Sequence, residues 1–253
     1  MAWVTKDSTE QYNQTPEPPR EYTKQEKAAN WWHYNKWIVI GVAIAVFLLV
    51  WLVHDVVTQV EPDYRVAYIG QSDLPVDTAD ALTNALQAFG TDCNGDGQVV
   101  VQLDQYNVDF NSETDNTDAY SQMAGVTRLS ADLADGGAYI FLLEDPAGFV
   151  QSTGALCYLD GTMPDQDHPE NDDWHQMVYH WTDCPVLTGL DLGTYTGLTM
   201  LDDQQGSSQD VLAGLYVGRR ALFTEKQEDH READEAMWQA LTAGAVSTVK
   251  EDE

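Results

Sequence analysis

Residues 37–53, WIVIGVAIAVFLLVWLV, run for seventeen positions without a charge or a proline. At ~1.5 Å rise per residue this makes a helix of about 25 Å, close to the shortest that crosses a bilayer. Val56 and Val57 extend the apolar run past His54 and Asp55. A secretory signal lies at the extreme N-terminus and ends in small residues. Here 36 residues come first, and no small-x-small cleavage pattern follows. Trp31, Trp32, Tyr34 and Trp37 at one end and Trp51 near the other read as aromatic belts at two membrane interfaces. The stretch 37–55 is therefore expected to be a transmembrane helix.

Charge divides the chain around that span. Of the 42 acidic residues, 37 lie after the apolar run 37–53, with seven Lys or Arg beside them, so the excess of −30 belongs to residues 54–253. Arg20, Lys24, Lys27 and Lys36 precede the span closely, and only Arg65 follows at comparable distance. The positive-inside rule then places the N-terminus in the cytoplasm and residues 56–253 outside the cell membrane. Residues 1–36, with TPEPPREYTKQEK, are polar and proline-rich and are expected to be disordered. So acidic a surface repels nucleic acid and anionic lipid head groups, and it favours divalent cations and basic partners. It is equally what a solvated, soluble face requires.

Periodicity sets the fold class of the outer part. YRVAYIG (64–70) alternates like a strand. VDTADALTNALQAFG follows with Leu82, Ala85, Leu86 and Phe89 on one helical face, Asp77 as the N-cap and Gly90 as the stop. VVVQLDQYNV reads as a second strand. AYSQMAGVTRLSADLADGG is a helix carrying Met123, Val126, Leu129 and Leu133, and AYIFLLED (138–145) is a strand buried on both faces. Strand and helix alternating at this spacing predict an α/β, three-layer domain with a mostly parallel sheet. Residues 160–185 read as an acidic insertion, 210–222 as a strand and 225–244 as the final helix.

The stretch LADGGAYIFLLEDPAGF, with the helix before it, resembles the first lobe of extracellular solute-binding proteins of the type 2 periplasmic-binding class. In that family a helix ending in a Gly-containing turn feeds a short apolar strand, whose polar end faces the ligand cleft. The resemblance covers roughly residues 64–160, and about 90 residues follow in place of a complete second lobe. It implies ligand-facing positions at Gln71 and Ser72 after the first strand and at Glu144 and Asp145 after the third. Open α/β sheets bind ligands at the carboxyl ends of their strands in general.

A second candidate lies in DCNGDGQVVVQL (92–103). Asp92, Asn94 and Asp96 occupy alternate positions, Gly97 follows where a calcium loop turns sharply, and Gln98 stands where such a loop offers a carbonyl. This resembles the first half of an EF-hand or dockerin loop. Leu103, at position twelve, cannot ligate, and a strand rather than a helix leaves the loop. A structural calcium ion would need a further carboxylate, for which Asp104, Asp109, Glu113 and Asp115 are candidates. The pairs Asn94-Gly95 and Asp96-Gly97 are turn dipeptides with or without a metal.

The chemistry of catalysis is thinly represented. His168, His175 and His180 lie among carboxylates, but His175 and His180 are five apart, off the i, i+4 spacing of helical zinc ligands. No nucleophile elbow, phosphate loop or dinucleotide fingerprint occurs in the chain. Trp174, Tyr179 and Trp181 suit either an exposed platform for a sugar or peptide or the packing of the insertion. For Cys93, Cys157 and Cys184, a Cys157–Cys184 bridge and free thiols are both open. The expectation is a membrane-anchored, non-catalytic binding domain for a small ligand, or an interaction component of a cell-envelope complex.

Overall fold

The protein is described here by a computed structural model covering residues 21–58, 61–110, 119–164, 173–196, 205–221 and 230–250. It divides into two units, residues 1–59 and residues 60–253.

The first unit is one helix, α1 (Lys24–Thr58). It is long and apolar enough to cross a membrane, and none of its most apolar window is buried by protein. Ile38, Phe47, Leu49 and Trp51 are each more than 60 % exposed. Within that window the helix is apolar on every side and has no single stripe of the kind that joins a soluble core. It begins thirteen residues earlier than the apolar run, so Lys24–Lys36, expected to be disordered, are helical. The reason is a capping box: the Glu26 N–H donates to Thr23 Oγ1 (3.3 Å), and the Thr23 N–H donates back to Glu26 Oε2 (2.9 Å).

The second unit is built on a five-stranded sheet whose strands lie side by side in the order Val101–Asn107, Tyr64–Gly70, Ile140–Leu143, Tyr216–Arg219, Val178–His180. Strand β1 (Tyr64–Gly70) pairs in parallel with β2 (Val101–Asn107) and with β3 (Ile140–Leu143), joined by α2 (Val76–Gln87) and α3 (Ala119–Asp135). This is the βαβαβ run that the periodicity predicts. A short helix, α4 (Pro146–Thr153), follows β3, and β4 (Val178–His180) forms one edge of the sheet. After α5 (Pro185–Thr188), a hairpin of β5 (Thr194–Thr196) and β6 (Gln205–Ser207) leads into α6 (Ser208–Leu212). Strand β7 (Tyr216–Arg219) then enters antiparallel between β3 and β4, and α7 (Arg231–Leu241) follows. The sheet is thus mixed, parallel in its β2-β1-β3 half and antiparallel around β7.

Both faces of the sheet are buried, and alternate residues divide between two cores. Val66, Tyr68, Ile140, Leu142 and Val217 pack with Leu82 and Leu86 of α2 and with Met237, Trp238 and Leu241 of α7. Ala67, Ile69, Phe141 and Leu143 pack with Leu129 of α3 and Phe149 of α4. Each buried aliphatic or aromatic side chain contributes about 1.5–3 kcal/mol, so β1, with six of seven residues buried, and β3, with all four, anchor the sheet.

Four expectations need correction. Residues 178–184 belong to the core and not to a surface insertion: Val178 and Cys184 are fully buried, and Trp181 packs among the residues of the first core. Of the strand expected over 210–222, only Tyr216–Arg219 forms; residues 210–212 belong to the helix Ser208–Leu212, which Ser207 caps by accepting the Gln209 N–H. Asp77 does not cap α2, which starts from Pro75; its carboxylate accepts the Thr196 N–H and hydroxyl, holding the β5–β6 hairpin. On α3 only the second half of the apolar stripe reaches the core, leaving Met123 and Val126 exposed.

Candidate functional site

The carboxyl ends of β1 and β3 lie side by side, because Ile69 and Leu143 are register partners. Glu144, the first residue past β3, therefore reaches across to β1. The Tyr68 hydroxyl donates to Glu144 Oε1 (2.6 Å), and the Gln71 N–H donates to Oε2 (2.8 Å). Burial and the adjacent Glu144 carboxylate push the Tyr68 hydroxyl well above the ordinary tyrosine range, so it remains a donor. Gly70 is required here: a Cβ at that position would collide with the Tyr68 hydroxyl and the Glu144 carboxyl group. Gln71, Ser72 and Glu144 are exposed. Of the four predicted positions the structure thus joins Gln71 to Glu144 and leaves Ser72 open to solvent.

Asp145 has a different task. It is the N-cap of α4, accepting the Gly148 N–H at 2.9 Å, with Pro146 as the first helical residue. At these strand ends Gln71, Ser72 and Glu144 form an exposed surface, with Asp145 half-buried beside them.

The 92–98 loop is closed by its own side chains. Asp92 accepts the Gly95 and Gly97 N–H groups (2.6 and 2.9 Å), Asn94 Oδ1 accepts the Asp96 N–H and Asp96 Oδ1 accepts the Gln98 N–H (both 2.8 Å). Gly95 and Gly97 have φ of 77° and 86°, the left-handed region that a side chain disfavours. Asn94 Nδ2 lies 3.5 Å from Asp96 Oδ2, and among the described residues no group of three or more His, Cys, Asp or Glu is placed to hold a metal ion. Side-chain oxygens at positions one, three and five are thus gathered in one loop, each already receiving a backbone donor. Of the carboxylates considered as completing ligands, Asp104 accepts from Gln102 and Arg128, while Glu113 and Asp115 lie outside the described residues.

What fastens this loop is Asp63, which no local pattern marks. Asp63 is 7 % exposed, and its carboxylate accepts N–H groups from Cys93 (2.8 Å), Asn94 (3.2 Å) and Val100 (2.8 Å). Burial alone would raise its pKa, but the backbone donors together outweigh burial and hold the carboxyl below the ordinary aspartate range. Tyr64 adds a second tie, its hydroxyl accepting the Thr91 N–H at 3.0 Å.

The remaining candidates are built into the fold. Trp174 and Trp181 are buried, and Tyr179 stacks on Trp238, so these rings pack the domain rather than form a platform. His180 shares a 2.6 Å hydrogen bond with Thr182 Oγ1 and meets Tyr216 edge-on, while His175 lies against Trp174; His168 is outside the described residues. Cys93, Cys157 and Cys184 are free thiols. Comparison with family models, with curated proteins and with solved structures finds no match to the chain.

Proposed function

We propose that the chain is a single-pass membrane protein, N-terminus in the cytoplasm, which holds an acidic, three-layer α/β binding domain outside the cell. The observation that carries this reading is α1, apolar on all sides and flanked by aromatic residues, in one chain with a unit whose sheet is buried on both faces. The basic residues preceding the span support the orientation. The resemblance to a solute-binding lobe is supported by α3 ending at Gly136, the buried strand it feeds, and the Glu144-Asp145 pair that follows. The domain acts by binding rather than by catalysis. Exposure of Gln71, Ser72 and Glu144 favours docking of an envelope protein over capture of a small solute, and the charge of −30 favours a partner that presents basic residues. A photo-crosslinker at Ser72 in intact cells should give one discrete adduct that Glu144→Lys removes. Adducts that are diffuse, or indifferent to Glu144→Lys, would contradict docking there.

A structural calcium ion is a separate proposal for the 92–98 loop. Asp92, Asn94 and Asp96 would offer side-chain oxygens and Gln98 its carbonyl, using lone pairs that the backbone donors leave open. At ~100-fold excess over Kd the ion would stabilise the fold by about 2.7 kcal/mol. Chelator should then lower the melting temperature of wild type and leave Asp96→Ala unmoved. A wild type indifferent to chelator would leave the loop as a turn held by Asp63.

A further inference from the structure

Seven Lys or Arg follow the apolar run, against 37 acids, and the fold keeps part of even that small number from the surface. Arg219 and Arg220 are each 5 % exposed. Arg219 is bonded to Glu235 and to the Tyr158 and Leu159 carbonyls, and Arg220 to the Leu133 and Ala138 carbonyls, so both guanidinium groups serve the interior. Arg65, Arg128, Arg231 and Lys250 are the exposed bases among the described residues of this unit. Of these four, Arg128 alone makes an ion pair among the described residues, with Asp104 (3.2 Å) and Asp132 (3.8 Å).

The acids are placed the opposite way. Glu61, Asp73, Asp80, Asp135, Asp191 and Asp210 are exposed, and none of them has a side-chain hydrogen bond or ion pair among the described residues. They stand before β1, after β1, on α2, at the end of α3, before β5 and on α6, so the negative charge is spread over the unit rather than gathered in one patch. Charge of one sign works against the compact state. A folded unit of this size has a radius of gyration near ~16 Å, against ~47 Å for the open chain, so folding draws about thirty uncompensated charges together. On a sphere of that size they stand about 14 Å apart. The screening length is ~30 Å at 0.01 M salt, so each charge then repels many others; at 1 M it is ~3 Å, well below the spacing. The three thiols are free, so no disulfide among them resists expansion.

We propose that residues 60–253 form a salt-dependent fold, built for a medium of about molar ionic strength and loosened as salt is withdrawn. What holds the unit compact is a diffuse layer of cations over the whole acidic surface, not an ion at one site. Residues 1–36 carry five acids and five bases, so α1 is spared this repulsion and keeps its helix at low salt. In such a medium a partner is recognised at contact, because steering over distance is screened. The dependence holds whichever side of the membrane the unit faces and whatever docks at Gln71 and Glu144.

The test is thermal melting of the full chain in nonionic detergent, followed by near-ultraviolet circular dichroism, with chelator present throughout so that the 92–98 loop adds nothing. Between about 0.05 M and about 2 M sodium chloride the melting temperature should rise by more than about 5 °C. Potassium and choline chloride should act alike, since screening follows ionic strength and not the identity of the cation. A combined variant carries Glu61→Gln, Asp73→Asn, Asp80→Asn, Asp135→Asn, Asp191→Asn and Asp210→Asn. Its formal charge falls from −30 to about −24, and repulsion grows as the square of the charge, so the salt-driven rise should shrink by about a third. At the high-salt end, where repulsion is screened, variant and wild type should melt alike. A wild-type rise below about 5 °C, a rise confined to sodium, or an undiminished rise in the variant overturns the proposal. The last would assign the effect to the general strengthening of apolar burial by salt.

Discussion

Replacing Asp63 by alanine removes one carboxylate and releases three backbone donors at once. The Asn94 N–H belongs to an exposed residue and can turn to water, so its loss costs little. The Cys93 and Val100 N–H groups belong to half-buried residues and each gives up a 2.8 Å bond to a charged acceptor, worth about 1.5 kcal/mol or more. The expected loss is about 3 kcal/mol, or roughly 6–12 °C in melting temperature for a unit of this size. Asp63→Asn keeps one acceptor oxygen without the charge and should fall about midway. Thermal and urea unfolding of the full chain in detergent would measure both, and hydrogen exchange should show the Cys93 and Val100 amides losing protection first. The folded carboxyl lies below its unfolded value, so its contribution is fully present above about pH 4 and is lost as pH falls through the folded pKa. The gap between wild type and Asp63→Ala must therefore narrow in acid. An alanine variant within about 1 kcal/mol of wild type at pH 7, or a gap that does not change in acid, would refute Asp63 as the anchor of the loop.

Asp145→Ala should cost about 1 kcal/mol by unfolding, the usual loss of an N-cap, while leaving the Ser72 crosslink intact. Glu235→Gln leaves the buried Arg219 without its countercharge and should destabilise by about 2–4 kcal/mol, read from the urea midpoint. Burial, opposed by His230, raises the Asp234 carboxyl to about 6, so the native state binds its proton more tightly than the unfolded chain and stability falls as pH rises from about 4 to 6. Asp234→Asn should therefore stabilise at pH 7 by about 1 kcal/mol, discounted for the partial exposure of the side chain, and the gain should vanish below about pH 4.

The elements legible in the sequence are those specified within a few residues. The alternation of 64–70, the apolar face of α2 and the run Ile140–Leu143 each encode burial locally, and β1, α2, β2, α3 and β3 stand where periodicity puts them. In the antiparallel half, β7 lies within the strand expected over 210–222, whereas β4, with three residues, is too short for a period to declare itself, and the direction of pairing is set by partners far off in the chain. The early start of α1 was readable, because Thr23 and Glu26 carry the spacing of a capping box. The sites divide in the same way. The loop turns at Gly95 and Gly97 because those dipeptides require it, whereas Asp63 meets Cys93 from 30 residues away and Tyr68 meets Glu144 from 76. Such contacts are products of strand register, which no local window contains.

The central claim, an acidic binding domain held outside the cell by α1, is tested most directly by adding protease to intact cells. A tag following residue 253 should be lost while a tag preceding residue 1 stays protected, and lysis should expose both. Protection of the C-terminal tag until lysis, with loss of the N-terminal one from intact cells, would contradict the orientation and with it the proposal of an envelope partner.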